Sequence, residues 1–414
     1  MSGFHYADGE LHAEGVALSA VAQRHGTPCY VYSRELLTAS YRECERALAG
    51  MPSLICYALK ANSSLAVVDV FARLGSGFDI VSGGELARVV AAGGDARKVV
   101  FSGVGKSDGE MEAALAAGVR CINVESASEL LHLAAVASRC GVRAPVSFRV
   151  NPDVDPGTHP YISTGLRESK FGVPFADAAT LYRRAAGLPS LEIRGIDMHI
   201  GSQLTDLAPI REATTRLLGL VDALAAEGIR LDHVDVGGGI GIRYRDEAPP
   251  TLEDYAGMLR ECFRGRRETL LVEPGRRLVG NAGILLTRVR YLKQGAPRDF
   301  AIVDAAMNDL LRPSLYDAWH AIDPVRPRAG ESRRYDVVGP VCESADFLGL
   351  DRELALAEGD LLAIRGAGAY AMSMSSNYNS RPRACEVMVD GSDVIEIRRR
   401  ESIADLFAHE RRLP

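Results

Sequence analysis

Leu54-Ile55-Cys56-Tyr57-Ala58-Leu59-Lys60-Ala61-Asn62 is an apolar run that ends on a single lysine, with no carboxylate beside it in the sequence. A run that is apolar at successive positions reads as a strand covered on both faces, the habit of parallel sheets. A lone cation at the tip of such a strand is costly unless it is used or neutralised. Lysine amines in these places can lose their charge and form Schiff bases with aldehydes. The plainer reading is a surface lysine whose stem covers apolar neighbours. For an arbitrary lysine that reading prevails; here the downstream sequence argues against it.

Outward from this run the same pattern recurs as far as residue 275. Eight β-rich runs, at 54–60, 78–81, 99–101, 121–124, 146–150, 196–199, 234–236 and 270–273, lead into Gly-, Ser-, Asn- or Asp-rich loops and then Ala/Leu/Arg-rich helical stretches. Ser82 with Glu85, and Ser126 with Glu129, have capping-box spacing. Leu130, Leu133, Ala134 and Ala137 then recur at helical intervals. Eight strand–helix units predict an α/β fold, a (β/α)8 barrel of TIM type rather than an open doubly wound sheet. Periodicity alone leaves closure open. The loop after the fifth run, 151–171, is rich in Pro, Gly and Asp. Long ordered loops on that face are usually functional or cover a site.

Past residue 280 the texture changes. Strand-like runs at 284–291, 300–303, 335–338, 361–364, 385–389 and 394–397 alternate with turns, and helical stretches are few. They predict a C-terminal antiparallel β domain, a sandwich or open barrel. Cys29-Tyr30-Val31-Tyr32 would add a strand to it from the N-terminal segment. The expected division is 33–280 for the barrel, and 1–32 with 281–414 for the β domain. A chain of 414 residues is long enough for both.

A formal net charge of −6, spread along the chain, argues against nucleic acid as a partner. Arg398-Arg399-Arg400 and Arg411-Arg412 read as solvated surface rather than a binding patch. No apolar run approaches the roughly 20 residues of a membrane helix, and the polar, acid-bearing first fifteen residues are unlike a signal peptide. The eight cysteines show no metal-binding spacing. Reduced thiols in the cytoplasm and no metal are expected. Seven cysteines should pack as small apolar groups. Cys342 stands apart, between Gly339-Pro340 and Glu343-Ser344, in a stretch that reads as a loop.

In such barrels reactive residues sit at the C-terminal ends of the strands. The strand ends supply Lys60, Asp79, Arg149, His199, Gly237-Gly238-Gly239 and Glu273. Contact with water explains a polar rim but not this mix. The glycine triplet leaves amide N–H groups unshielded, open to an anion. Glu273-Pro274-Gly275-Arg276 forms the next loop, and barrels often hold phosphate after strands seven and eight. Glu273 would be repelled by phosphate and needs another partner. A protonated pyridine nitrogen suits it, since the carboxylate keeps that ring cationic and electron-withdrawing. The competing reading is an ion pair with Arg276 or Arg277. His199 could lie flat against a ring, with Ser202 adding phosphate hydrogen bonds; a lone histidine is more often structural, but a strand end favours function.

Together Tyr57 to Asn62, His199 to Gln203, Gly237 to Gly239 and Glu273 to Arg276 resemble the signatures of the fold-type III pyridoxal phosphate decarboxylases of basic amino acids, a group similar to alanine racemase in its barrel. The resemblance continues through Leu311-Arg312-Pro313-Ser314-Leu315-Tyr316, Cys342-Glu343-Ser344 and Gly368-Ala369-Tyr370. It runs along nearly the whole chain in the expected order, with no departure at an essential position.

The resemblance implies pyridoxal 5′-phosphate held as a Schiff base on Lys60, with His199 on the ring face and Glu273 on the pyridinium nitrogen. It places Ser202, Gly238, Gly239, Pro274, Gly275, Arg276 and Tyr370 around the phosphate. Asp79 and Arg149 would orient Lys60 and the ring. Cys342 would protonate the carbanion in the neighbouring subunit's site, a step to which a thiol is suited near neutral pH, and this implies a homodimer with shared active sites. Arg276, Arg312 and Tyr316 match positions that hold a distal carboxylate, and Glu343 the one facing a distal ammonium; Tyr370 also borders the substrate. Arginine suits a buried carboxylate, although Arg312 could instead cap a helix or pair with Asp309. The expected reaction is decarboxylation of meso-2,6-diaminopimelate to L-lysine and CO2, the last step of bacterial lysine synthesis. Other carboxylated amines, such as a carboxynorspermidine-like substrate or D-ornithine, share every cofactor residue. A non-catalytic pyridoxal phosphate carrier is disfavoured by the presence of Cys342 and the β domain.

Overall fold

Eight parallel strands lie where the sequence places them: Ser53–Ala58, Gly77–Ile80, Val99–Phe101, Cys121–Val124, Ala144–Asn151, Leu191–Asp197, His233–Asp235 and Thr269–Val272. Each pairs with the next, and the eighth returns to the first with Leu271 opposite Leu54. The sheet is therefore a closed barrel, as expected. This is the computed structural model of the chain, and it describes residues 3–155, 170–295 and 298–414. Residues 156–169, and with them the expectation that the 151–171 loop covers a site, lie outside the described residues.

The strands earn their burial from composition. Gly77–Ile80, Val99–Phe101 and Cys121–Val124 are buried throughout. Cys56, Val100, Cys121 and Leu271 cluster together inside the barrel unit. Gly77 is needed there, because a Cβ would come within 2.6 Å of the Lys98 carbonyl oxygen. Ser82 and Ser126 do cap the helices Gly83–Ala91 and Ala127–Cys140, accepting the N–H of Glu85 and Glu129. The two glutamates reach one residue further back than a capping box requires, to the N–H of Val81 and Glu125, both at 2.7 Å. The complete reciprocal box forms instead at Ser107 and Glu110.

Two compact units result, Ser40–Ile242 with Glu247–Arg277, and Met1–Ala39 with Arg243–Asp246 and Leu278–Pro414. In the second, a sheet runs in the order Phe347–Leu354, Arg333–Val338, Asp299–Val303, Gly283–Lys293, Cys29–Ser33, Cys385–Asp390, Asp393–Arg398, with Leu361–Ile364 and Ile322–Pro324 branching from it. The N-terminal strand joins this sheet as expected. Most pairings are antiparallel. Two are parallel, Cys29–Ser33 with Cys385–Asp390 and Asp299–Val303 with Arg333–Val338. Phe347–Leu354 escapes the sequence reading because Gly349, Asp351, Arg352 and Glu353 dilute its apolar pattern.

Two surface expectations change. Cys140 is exposed and Cys262 half-buried, so five cysteines rather than seven are buried; Cys140 ends its helix beside the left-handed Gly141 cap. Arg398 pairs with buried Glu386, and Arg400 donates to the carbonyls of His25 and Pro28, so these two tie the sheet together rather than solvate it. No helix among the described residues is long and apolar enough to cross a membrane.

Candidate active site

Register brings the first catalytic candidates together within the barrel unit. Ala58 lies opposite Asp79 on the second strand. Lys60 follows on a single 3-10 turn, Leu59–Ala61. Its Nζ meets Asp79 Oδ2 at 2.5 Å. The Asp79 side chain is fully buried, whereas that of Lys60 keeps 34% exposure. The lysine is thus not the isolated cation that its sequence neighbours suggest: its carboxylate arrives from the adjacent strand, 19 residues away.

A row of charged groups crosses the neighbouring strands. Asp197 lies opposite both Arg149 and Asp235. Leu271 is opposite Asp235, and strand alternation puts Glu273 on the same side two residues later. Oxygen atoms of Asp197, Asp235 and Glu273 lie within 4.8 Å of one another, all buried. Asp79 Oδ1, Asp197 Oδ1, Asp235 Oδ2 and Glu273 Oε1 have no hydrogen-bond partner among the described residues. Burial pushes the Glu273 carboxyl well above its ordinary range; Asp235, Asp79 and Asp197 push it further and Lys60 opposes them. Burial likewise raises Asp235 to about 7 and lifts Asp197, against Arg149. Arg149 lies over the Phe171 ring, 4.8 Å from its centroid.

His199 follows the sixth strand and turns toward the glycine triplet. Its Nδ1 accepts the Gly238 N–H at 3.3 Å. Burial, reinforced by the positive charges of Arg149 and Lys60, holds the imidazole well below its ordinary pKa. The ring is therefore neutral, with its proton on Nε2. The triplet must be glycine for steric reasons. A Cβ on Gly238 would stand 2.1 Å from the Glu273 carbonyl oxygen, and one on Gly239 2.4 Å from that of Gly201. Pro274 accepts the Ala58 N–H, and Gly275 packs against Ala61, so the loop after the eighth strand abuts the Lys60 turn.

The competing partners for Glu273 are engaged elsewhere. Arg277 pairs with Glu43 at 2.9 Å, and Arg276 donates to Ser202 Oγ at 2.9 Å. Gln203, quoted in the sequence motif without a role, has a positive φ of 59°. Its side chain donates to the Ile242 carbonyl and accepts the Ile242 N–H, pinning the loop after the sixth strand to the one after the seventh.

The remaining candidates belong to the other unit. Arg312 opens the helix Arg312–Tyr316, is buried, and lies over the rings of Tyr244 and Tyr316. Cys342 and Glu343 are exposed on a loop. Asn379 Oδ1 accepts the Cys342 N–H, Tyr378 donates to Glu343, and Asp346 accepts the Val341 N–H. Tyr370 has a positive φ of 54°, a strained conformation for a bulky residue. Beside it Gly368 packs so tightly that a Cβ would overlap the Val279 carbonyl oxygen.

Residues 34–280 match the family described as "Pyridoxal-dependent decarboxylase, pyridoxal binding domain". The chain is 62% identical, over its whole length and that of the relative, to the diaminopimelate decarboxylase of Pseudomonas aeruginosa. It is 57% identical, again over both whole lengths, to that of Vibrio cholerae. The crystal structure of diaminopimelate decarboxylase from Helicobacter pylori complexed with L-lysine superposes with a TM-score of 0.92 at 44% identity, covering 95% of this chain and 99% of that one.

Proposed function

The chain belongs to the diaminopimelate decarboxylases, within the pyridoxal-dependent decarboxylase family, and on that premise we propose that it converts meso-2,6-diaminopimelate to L-lysine and CO2 through the residues assigned below. It is an enzyme, a carboxy-lyase of lysine biosynthesis, and its cofactor is pyridoxal 5′-phosphate. The barrel rim fits that cofactor on its own geometry. Glu273 Oε1 is a buried acceptor without a partner among the described residues, as a protonated ring nitrogen requires. The glycine turn leaves no room for side chains, as close approach of a phosphate requires. When bound, the cofactor supplies a cationic ring that takes up the electron pair left by the departing carboxylate.

The chain's own residues hold, orient and protonate. Lys60 Nζ is the covalent attachment point, and Asp79 Oδ2 aims it. His199 faces the ring as a neutral imidazole, so it adds no cation to compete with the ring's own charge. Arg149 and Asp79 fix the orientation of ring and lysine. Ser202, Gly238, Gly239, Pro274, Gly275, Arg276 and Tyr370 hold the phosphate. Arg276, Arg312 and Tyr316 bind the distal carboxylate, Glu343 the distal ammonium, and Tyr370 borders both ligands. Cys342 of the partner subunit delivers the proton to Cα; the exposure of this thiol on an anchored loop supports that role. A homodimer with shared sites and a cytoplasmic setting complete the proposal. So does the division into 33–280 and 1–32 with 281–414, which the family match over 34–280 supports.

The observation that carries the chemistry is the Lys60–Asp79 pair in the same barrel as the partnerless Glu273 oxygen. Holoenzyme should release CO2 from meso-diaminopimelate and produce L-lysine. Release from ornithine with none from diaminopimelate would reject the substrate assignment.

A further inference from the structure

Behind Glu273 stand two carboxylates that the chemistry above leaves without a task. Asp197 and Asp235 end the sixth and seventh strands, in register with each other. Neither is exposed, and each keeps one oxygen without a hydrogen-bond partner among the described residues. Asp235 is anchored through its other oxygen, which accepts the Gly237 N–H at 2.9 Å. An oxygen of its carboxyl lies within 4.8 Å of one from Glu273 and one from Asp197, all three buried. Buried carboxyls this close disfavour double ionisation, so the pair holds a proton.

The other groups that act on Glu273 do not remove this requirement. Lys60 is committed to Asp79, and Arg149 lies opposite Asp197. Asp79 adds a further negative charge. The Cys56 and Cys121 thiols and the Tyr255 phenol are all held neutral by burial.

We propose that Asp235 is a positioning residue that shares one proton with Glu273 and thereby sets how firmly Glu273 keeps a proton at the cofactor's ring nitrogen, with Asp197 reinforcing it from the next strand. The inference rests on the reading of Glu273 as the ring nitrogen's partner. In the unloaded pair one proton is held by the two carboxyls together. With the cofactor bound, Glu273 would pass that proton to the ring nitrogen, and none would enter or leave the site. The pair then carries two negative charges against one positive charge on the ring. The Asp235 charge raises the proton affinity of this assembly, so the ring nitrogen stays cationic to higher pH than Glu273 alone would allow. Electron withdrawal by the ring depends on that proton.

The test is holoenzyme carrying cofactor labelled with nitrogen-15 in the ring, followed by NMR against pH. Asp235→Asn keeps an oxygen for the Gly237 N–H but cannot carry the charge. It should lose the ring proton at a pH lower by at least about one unit, and the alkaline limb of kcat/KM should move down with it. Asp197→Asn should shift both in the same direction by less, since Asp197 acts on Glu273 more weakly than Asp235 does. If neither variant shifts the ring-nitrogen signal while Glu273→Gln removes the proton, the inference fails and the role of Glu273 stands. If Glu273→Gln also leaves the signal unchanged, the reading of Glu273 falls. Should Asp235→Asn not fold, Asp197→Asn decides alone, and an unshifted signal there overturns the proposal.

Discussion

His233 lies on the seventh strand with 1% of its surface exposed, against Cys121 Sγ at 3.6 Å from Nε2. Gly195 makes room for it, since a Cβ there would fall 2.1 Å from Nε2. Burial, with the charge of Arg120 adding to it, depresses this imidazole to about 3, against about 6.5 in an unfolded chain. Between those values the unfolded chain binds the extra proton. The stability from His233 is therefore complete above pH 6.5 and is lost as pH falls through the window, at up to about 1.4 kcal/mol per pH unit. Asp309 works in the opposite sense: burial raises its carboxyl to about 7, so its contribution is lost as pH rises toward that value. His233→Gln leaves Asp309 untouched. Denaturant midpoints at pH 7, 6 and 5 should fall less steeply for the variant than for the natural chain, and parallel lines would show that this imidazole does not titrate on unfolding. Residue types at such positions are legible in the sequence. Their burial partners are not, and Asp197 and Asp235 escaped notice for that reason. The available signal was an acid inside a run otherwise apolar on both faces.

At the scale of elements, the turn after the seventh strand shows what a sequence motif can and cannot say. Three successive glycines announce close approach. What approaches is decided by the neighbouring loops: the Glu273 carbonyl oxygen at Gly238, the Gly201 carbonyl oxygen at Gly239, and Met198 with His199 at Gly237. Gly238→Ala would force its methyl against backbone rather than a yielding side chain. It should lower stability by about 1–3 kcal/mol and weaken cofactor retention by displacing the His199 acceptor and the Glu273 strand end together. Chemical denaturation and the absorbance of bound cofactor after dialysis check both effects; retention equal to that of the natural chain would show that the turn relaxes freely. The helix caps behave similarly. Serines at Ser82 and Ser126 mark their helix starts. Which N–H each glutamate reaches depends on how the preceding strand leads in.

For the whole molecule, the proposed shared sites make a prediction that no single chain can meet. Lys60→Ala and Cys342→Ala should each be inactive or nearly so in meso-diaminopimelate decarboxylation. A mixed dimer of the two, co-expressed and purified through two different tags, would hold one intact site and recover about half the activity of the natural dimer. No recovery in a purified mixed dimer would place the proton donor within the same chain or on another residue. The sequence by itself determined the eight-fold strand–helix alternation, the β-rich segments at both chain ends and the residue types at each strand end, because burial writes itself into periodicity. Only the tertiary structure decided that the sheet closes, Leu271 against Leu54, and that the lysine at 60 meets Asp79 while three acids from separate strand ends converge. Distances across strands follow from register and closure, which are properties of the assembled sheet and of no local stretch of chain.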